Sequence, residues 1–246
     1  MLLPPSETKR DGGDGPPLSL DELGSPVLNS LRAELIDELV QLAEDREASR
    51  RALSLSASQD AEIARNAVLR SAPTAPAISR YTGVLYDALD VESLHGAAAS
   101  RAHARLAIGS ALFGLLRASD HVPAYRLSAS SKLPGRGGLA KHWRPVLTPV
   151  LADLAARDLL VDLRSGAYAA LAPIPGAVRV DVLTERPDGR RVSVSHFNKA
   201  HKGRLARTLA TAVGDPGDAA AVAAIARQSG MQVEHDDLQV SLVVPA

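Results

Sequence analysis

The stretch VRVDVLTERPDGRRVSVSHF, residues 178–197, decides the fold class. Its two halves alternate apolar and polar residues, and Pro187-Asp188-Gly189 supplies turn residues between them, so the stretch predicts a β-hairpin. A helix is predicted from about Lys199 and another from about Pro216, and two short strands, GMQVE and LQVSLVV, follow. Because hairpins and helical crossovers alternate, we expect an α+β fold: a single domain, residues 1–246, with a mixed sheet flanked by helices.

The N-terminal part of the chain repeats this mixture. Met1 to Leu3 predict a short buried strand, and KRDGGDGPP (9–17) predicts a loop that nothing in its composition would order. Ser25 and Pro26 begin an amphipathic helix with leucines at three- and four-residue steps, and shorter helices continue to about residue 70. SAPTAPA (71–77) favours a turn, and RYTGVLY (80–86) predicts a strand. Residues 91–107 predict a helix, and residues 105–116 predict a strand that runs into a short helix. DLLVDL (158–163) predicts a further strand.

Composition excludes several classes of protein. With 46% hydrophobic residues over 246 positions, the chain can bury a core, which excludes a disordered or collagen-like chain. The lack of cysteine excludes disulfides, thiolate nucleophiles and cysteine-ligated metals, and it fits a reducing compartment. The N-terminus does not resemble a signal peptide and no apolar run is long enough for a membrane span. We therefore expect a cytoplasmic protein with no membrane association.

The formal net charge of zero hides a charge pattern. Residues 1–100 hold nine basic and 16 acidic side chains, residues 101–210 hold 18 and seven, and residues 211–246 hold one and five. The middle block therefore carries a net charge of +11. This basic band predicts either a surface that pairs with the acidic blocks or a site for a polyanion, and composition alone does not separate the two.

The first basic motif is LPGRGGLAKHW, residues 133–143. Gly135 and Gly137 permit a tight turn, and free amides at the start of the next helix can face a phosphate, as in a helix-hairpin-helix element. Lys132, Arg136 and Lys141 add positive charge. The alternative is an ordinary glycine loop before a helix, and Pro145 and Pro149 predict that this helix is kinked or begins at Pro145.

The second basic motif is HFNKAHKGRLAR, residues 196–207. On a helical wheel Lys199, Arg204 and Arg207 share one arc, which either contacts an anion or is simply solvated. Lys202 falls on the apolar side, and an inward lysine is usually paired or lines a cavity.

Other motifs bear on chemistry. The seven aromatic residues lie between Tyr81 and Phe197, where they form either stacking platforms for bases or part of the core, and we expect about two thirds of them to be buried. The seven histidines lack metal-ligand spacing, and neither a Walker loop, a GxGxxG motif nor a nucleophile elbow is present. We therefore expect no cofactor and no metal site.

Several motifs occur in one order along nearly the whole chain. They are Pro5-Ser6-x-x-Lys9, Tyr81-x-Gly83-x-x-Tyr86, the run from Ala111 through Gly114 and Asp120 to Tyr125-Arg126-Leu127, His142-Trp143, Leu163-x-Ser165-x-x-Tyr168, and Phe197-x-Lys199-x-x-Lys202-Gly203. Together they resemble the YaaA family of peroxide stress proteins. The resemblance implies a single α+β domain with a helix-hairpin-helix element, binding of double-stranded DNA through a basic cleft, and protection from hydrogen peroxide and free iron.

The resemblance favours a polyanion site, so our first hypothesis is a sequence-tolerant clamp for double-stranded DNA. The predicted DNA contacts are Lys132, Gly135, Arg136, Gly137, Lys141, Lys199, Lys202 and Arg207. The residues predicted to line the same cleft are Ser6, Lys9, Tyr125, Arg126, Ser165 and Tyr168. A second hypothesis is an enzyme acting on damaged DNA or a nucleotide, with Lys9 or Lys199 as an amine nucleophile. A third, iron sequestration, finds no ligand cluster in the sequence.

Overall fold

A mixed β-sheet forms the centre of the structure, a computed structural model that describes residues 1–186, 190–193 and 198–245. The strands are β1 (Leu2–Leu3), β2 (Gly15–Pro17), β3 (Pro73–Pro76), β4 (Ala107–Ser110), β5 (Gly114–Arg117), β6 (His121–Val122), β7 (Lys132–Leu133), β8 (Gly137–Gly138), β9 (Val161–Asp162), β10 (Val178–Glu185), β11 (Arg191–Ser193), β12 (Val233–Asp236) and β13 (Gln239–Pro245). The helices are α1 (Asn29–Leu42), α2 (Arg46–Leu53), α3 (Asp60–Ala67), α4 (Ala77–Arg80), α5 (Val84–Leu89), α6 (Gly96–Arg105), α7 (Leu139–Ala155), α8 (Gly166–Ala169), α9 (Asn198–Thr211) and α10 (Ala219–Gln228), with 3₁₀ turns at Leu20–Glu22, Pro26–Leu28, Ala57–Gln59 and Val91–Ser93. The predicted α+β class with a mixed sheet and helices is confirmed.

The main sheet has a parallel centre and antiparallel edges. Its order is β12-β13-β10-β9-β1-β4-β5, with β11 pairing with β10 as the eighth strand. The strands β13, β10, β9, β1 and β4 are parallel to one another, whereas β12, β11 and β5 pair antiparallel with β13, β10 and β4. Central strand β1 pairs Leu2 with Ala107 on one side and with Asp162 on the other.

The order of the strands reverses at β1. The chain passes from β1 to β4 and β5 on one side, and then returns to place β9, β10 and β13 on the other side. In open α/β sheets, ligands bind outside the carboxyl ends of the strands where the strand order reverses in this way. The segments that leave the carboxyl ends of β1, β4 and β9 are residues 4–9, 111–113 and 163–168. The strand order therefore predicts that a ligand site is formed by these three segments.

Most of the predicted elements in the C-terminal half are confirmed. Strands β10 and β11 form the predicted antiparallel pair, with Glu185 opposite Arg191, and α9, α10, β12 and β13 follow in the expected order. The turn residues 187–189 and residues 194–197 of that hairpin lie outside the described residues. The predicted N-terminal strand, the helix after Ser25 and the helix within residues 91–107 are also present.

Two local predictions are wrong. Residues 80–86 form the end of α4 and the start of α5 rather than a strand, since Gly83 adopts a positive φ of 98° that separates the two helices. The predicted short helix near residue 114 is strand β5, because Gly114 at a φ of 71° closes a hairpin in which Ser110 pairs with Gly114. In both places a glycine in the left-handed region redirects a chain with ambiguous apolar periodicity.

The expected helix-hairpin-helix element is replaced by a β-hairpin before a single helix. Strand β7 pairs with β8, and the amide of Arg136 donates to the carbonyl of Leu133. Pro134 followed by Gly135 at a φ of 72° fits a type II turn, which requires a positive φ at its third residue. Helix α7 begins at Leu139, before Pro145, and runs through both of its prolines.

Arg80 holds residues 9–17 in place, the segment that the sequence predicts to be a loop. Its guanidinium is buried and donates hydrogen bonds to the carbonyls of Arg10, Gly12, Pro73 and Val122. Strand β2 also pairs with β3, where the sequence favoured only a turn. These contacts fix the chain on the C-terminal side of Lys9.

The described aromatic side chains are all core residues. Tyr81, Tyr86, Phe113, Tyr125, Trp143 and Tyr168 are buried. The indole of Trp143 donates to the carbonyl of Ala111 at 2.8 Å. The alternative of exposed stacking platforms is therefore wrong for these six rings, while Phe197 lies outside the described residues.

We expect Gly114→Ala to destabilise the protein by about 2–3 kcal/mol, since it combines a left-handed backbone with overpacking. A Cβ at this position would lie 2.5 Å from Cζ3 of Trp143. The matched control is Gly135→Ala, at nearly the same φ but with no atom within 4 Å of the added Cβ, which should cost only about 1 kcal/mol. Urea denaturation measures both, and equal costs would contradict the packing argument.

None of the helices in the described part of the chain combines the length and apolar character needed to cross a bilayer.

Candidate functional site

Lys9 is the centre of a buried polar site at the carboxyl end of β1. The lysine is 7% exposed. Its ammonium donates to the carbonyls of Ser6 at 3.0 Å and Glu7 at 3.5 Å, and it lies 4.1 Å from the ring centroid of Tyr125 and 5.3 Å from that of Tyr81. We call Glu7, Lys9, Glu62, Tyr81, Tyr125 and Arg126 the Lys9 site.

Burial controls the protonation of Lys9. Loss of hydration lowers the pKa of the Lys9 amine to about 7, an effect that the carboxylates of Glu7 and Glu62 oppose and that Arg126 reinforces. No described carboxylate forms an ion pair with the Lys9 ammonium. Near neutral pH a substantial share of Lys9 is therefore the free amine, the form in which a lysine acts as a nucleophile or base.

Hydroxyl groups form a chain beside Lys9. The hydroxyls of Tyr81 and Tyr125 are 2.8 Å apart, and the Tyr125 hydroxyl is 2.7 Å from Ser110 Oγ, which accepts hydrogen bonds from the amides of Leu112 and Phe113. Burial raises the pKa of Tyr81 to about 12 and the pKa of Tyr125 well above 10. Both tyrosines stay protonated at physiological pH, so their ring faces remain neutral surfaces for a cation.

Charged side chains border Lys9 without completing their hydrogen bonds. Arg126 Nε lies 3.4 Å from Glu7 Oε2, and the two atoms are not aligned well enough to form a hydrogen bond. The buried atoms Glu7 Oε2, Glu62 Oε2 and Arg126 Nε have no hydrogen-bond partner in the described structure, and Thr148 Oγ1 is the one other such side-chain atom there. Since buried polar groups are normally satisfied, three of these four atoms falling around Lys9 indicates a place for a polar ligand or water.

The segment after β9, residues 163–172, forms another side of the Lys9 site. Arg164 is buried and pairs with Asp162 at 2.8 Å, and it also donates to the carbonyls of Tyr168 and Ala172, which shapes residues 163–172. Burial raises the pKa of the Tyr168 hydroxyl, and the charges of Glu7 and Arg126 also act on it. Ser165 is exposed at the N-terminus of α8.

Lys202 faces the interior, as its place on the apolar side of the predicted helix indicated. Its Nζ donates to the carbonyl of Leu163 at 3.3 Å. Burial lowers the pKa of the amine, while Asp181 and Asp162 oppose the shift. Lys202 thus holds α9 against the segment that follows β9.

The predicted DNA contacts separate into two groups. Lys132, Lys141 and Lys199 are exposed and form no ion pair with a described residue. Arg136 instead pairs with Glu34 and Glu38 of α1, and Arg207 donates to the carbonyls of Leu89 and Asp90. Gly135 and Gly137 are exposed in the hairpin.

Of the predicted cleft residues, the structure brings together Ser6, Lys9, Tyr125, Arg126 and Tyr168, with Ser165 at the surface nearby. Sequence reasoning missed Glu7, Glu62, Asp162 and Arg164 as parts of this region. Glu7 lies two residues from Lys9, but nothing in the local sequence of Glu62 or Arg164 indicated that they pack against distant segments. In the described residues, no group of three or more His, Asp or Glu side chains is arranged to hold a metal ion.

Comparisons with known proteins agree with the motif order. Residues 1–228 match the family described as peroxide stress protein YaaA. Over 238 residues the chain is 49% identical to a UPF0246 protein of Corynebacterium efficiens, covering 95% of this chain and 94% of the relative. A UPF0246 protein of Streptomyces coelicolor is 45% identical, covering 95% and 91%. One from Shewanella woodyi is 33% identical over 54% of this chain and 55% of its own. The chain belongs to the YaaA family of peroxide stress proteins.

Proposed function

We propose that this peroxide stress protein binds double-stranded DNA in the cytoplasm and shields it from peroxide- and iron-driven damage. The observation that supports this proposal is the state of Lys132, Lys141 and Lys199, which are exposed and free of ion pairs with described residues. Contacts between ammonium groups and phosphates carry no sequence information, so we expect the binding to be sequence-tolerant.

Lys132 and Lys199 lie close in sequence to residues that contact the segment after β9. Lys132 follows the segment whose Ala129 backbone hydrogen-bonds with Tyr168. Lys199 lies one turn before Lys202, which holds the segment after β9. Lys141 lies in the first turn of α7, and Gly138, which precedes this helix, provides no side-chain cap, so the amides of the turn add positive potential.

The basic band, residues 101–210, offers fewer free cations for DNA binding than its net charge suggests. Besides Arg136 and Arg207, Arg105 donates to three carbonyls at the end of α9 and pairs with Asp215, and Arg164 pairs with Asp162. These guanidiniums are held by the protein itself. The proposed grip therefore depends on the three exposed lysines rather than on the six cations of the sequence-based clamp.

We expect log K for a duplex to fall with log salt concentration with a slope of about −3, because each neutralised phosphate contributes about 0.9. Fluorescence anisotropy of a labelled duplex across a salt series measures this slope. The Lys132→Ala/Lys141→Ala/Lys199→Ala variant should lose nearly all of it. Lys202→Ala alone should leave the slope unchanged, since its amine faces a carbonyl.

The matched control removes the same charge elsewhere. Three exposed arginines lie outside the segments that carry Lys132, Lys141 and Lys199. They are Arg51, Arg157 and Arg179. The triple alanine variant at these positions should bind with the slope of the unaltered protein. Equal loss in both variants would show a non-specific charge effect, and no duplex binding by the unaltered protein would remove the proposal.

A further inference from the structure

A grip on phosphates does not need the buried amine of Lys9. A contact with DNA uses exposed, charged lysines, whereas Lys9 is 7% exposed and is held by the carbonyls of Ser6 and Glu7. Burying a lysine costs stability, and native proteins retain such costs mainly at functional sites. We therefore expect Lys9 to take part in a chemical reaction at this site.

The surroundings of Lys9 describe the ligand. Glu7 Oε2 and Arg126 Nε form an ion pair at 3.4 Å but no hydrogen bond, and Glu62 Oε2 accepts no hydrogen bond from a described residue. A ligand that completes this set carries hydroxyl groups for the carboxylates and an oxygen, such as that of a phosphate ester, for the guanidinium. The Glu7 side chain is 43% exposed, so this member of the set meets solvent.

We propose that Lys9 is a catalytic nucleophile that forms an imine with the aldehyde of a hydroxylated, phosphate-bearing sugar. Two sources share this chemistry: the ring-opened deoxyribose of an abasic site in DNA, and a free sugar phosphate. The DNA source rests on the proposed function, whereas the amine chemistry does not.

The step balances without a further reactant. The nitrogen lone pair of Lys9 attacks the carbonyl carbon, a C–N bond forms as the C=O π bond breaks, and one nitrogen proton passes to the carbonyl oxygen to give a neutral carbinolamine. The hydroxyl then takes up a proton from solvent and leaves as water, while the nitrogen lone pair forms the C=N bond of an iminium that keeps the remaining nitrogen proton. The Tyr125 ring, 4.1 Å from the Lys9 nitrogen, stabilises the protonated iminium through a cation–π contact.

Borohydride trapping tests this proposal. The protein is mixed in separate arms with a duplex carrying one abasic site, with deoxyribose 5-phosphate and with an intact duplex. Sodium cyanoborohydride reduces any imine to a stable amine, and peptide mass spectrometry locates it. We expect an adduct at Lys9 with at least one aldehyde, about tenfold or more above any other lysine near neutral pH, because exposed lysines are almost fully protonated there.

Variants and a parallel binding assay separate the outcomes. Lys9→Met should abolish the adduct, whereas Arg51→Met, which removes an exposed cation of α2, should keep it. Because the adduct is mapped on the unaltered protein, the test does not depend on how either variant folds. An adduct with deoxyribose 5-phosphate alone supports imine chemistry on a small molecule. Binding of the abasic duplex by anisotropy with no adduct at Lys9 in either aldehyde arm, or equal adducts at all lysines, overturns the proposal and leaves DNA binding untouched.

Discussion

The unfolding free energy of this protein is expected to rise with pH between about 7 and 10, and Lys9→Met is expected to remove most of that rise. The folded protein holds the Lys9 pKa at about 7, against an ordinary value of 10.5. Between these values unfolding takes up a proton, so stability increases by about 1.4 kcal/mol per pH unit. Below pH 7 the lysine is charged in both states and its burial cost stays constant.

Urea denaturation at pH 7.5 and 9.5 measures this effect. The difference between the unaltered protein and Lys9→Met should change by about 2.7 kcal/mol across this range, out of a full effect of about 4–5 kcal/mol. Above pH 10 the raised tyrosine pKa values act in the opposite direction, since unfolded tyrosines ionise first. Lys132→Met removes an exposed lysine and serves as the control. A pH-independent difference for Lys9→Met would show that Lys9 is hydrated.

The second large effect is expected for Arg164→Leu, which should lower the unfolding free energy by about 3–5 kcal/mol, because breaking a buried ion pair leaves an uncompensated charge. The Arg164 side chain is 2% exposed and that of Asp162 is 11% exposed. The variant also leaves the carbonyls of Tyr168 and Ala172 without this donor. The melting temperature should fall by roughly 10 °C for a chain of this size.

Arg157→Leu is the matched control, since Arg157 is exposed two residues after the end of α7 and should change stability by less than about 0.5 kcal/mol. Restoring neutrality with Asp162→Asn in the Arg164→Leu background should recover part of the loss, because the buried carboxylate is then uncharged. A loss below about 1 kcal/mol for Arg164→Leu would contradict the placement of this pair.

These effects link the stability of the protein to its candidate site. Arg164 shapes the segment that carries Tyr168, and Arg80 holds the chain that carries Lys9. The Arg80 guanidinium bonds to four backbone carbonyls, whereas that of Arg164 bonds to two carbonyls and to the Asp162 carboxylate. The fold therefore uses two buried guanidiniums to fix the segment that carries Lys9 and the segment that carries Tyr168.

The sequence by itself determined the fold class, the family and most of the C-terminal elements. Strand β10 and helix α9 follow from local alternation and helical periodicity, which depend on residues a few positions apart. The ordered series of short motifs identified the family because each motif keeps its place along the chain. The inward position of Lys202 also followed from its place on the helical wheel.

Only the tertiary structure decided which charges are free and which are engaged. Arg136 is 98 residues from Glu38, and Arg207 is 118 residues from Leu89, so no local pattern predicts that these cations are held by the protein. The low pKa of Lys9 likewise arises from burial against rings that lie 72 and 116 positions away at Tyr81 and Tyr125. Desolvation and ion pairing act through space, and the folded chain alone sets those distances.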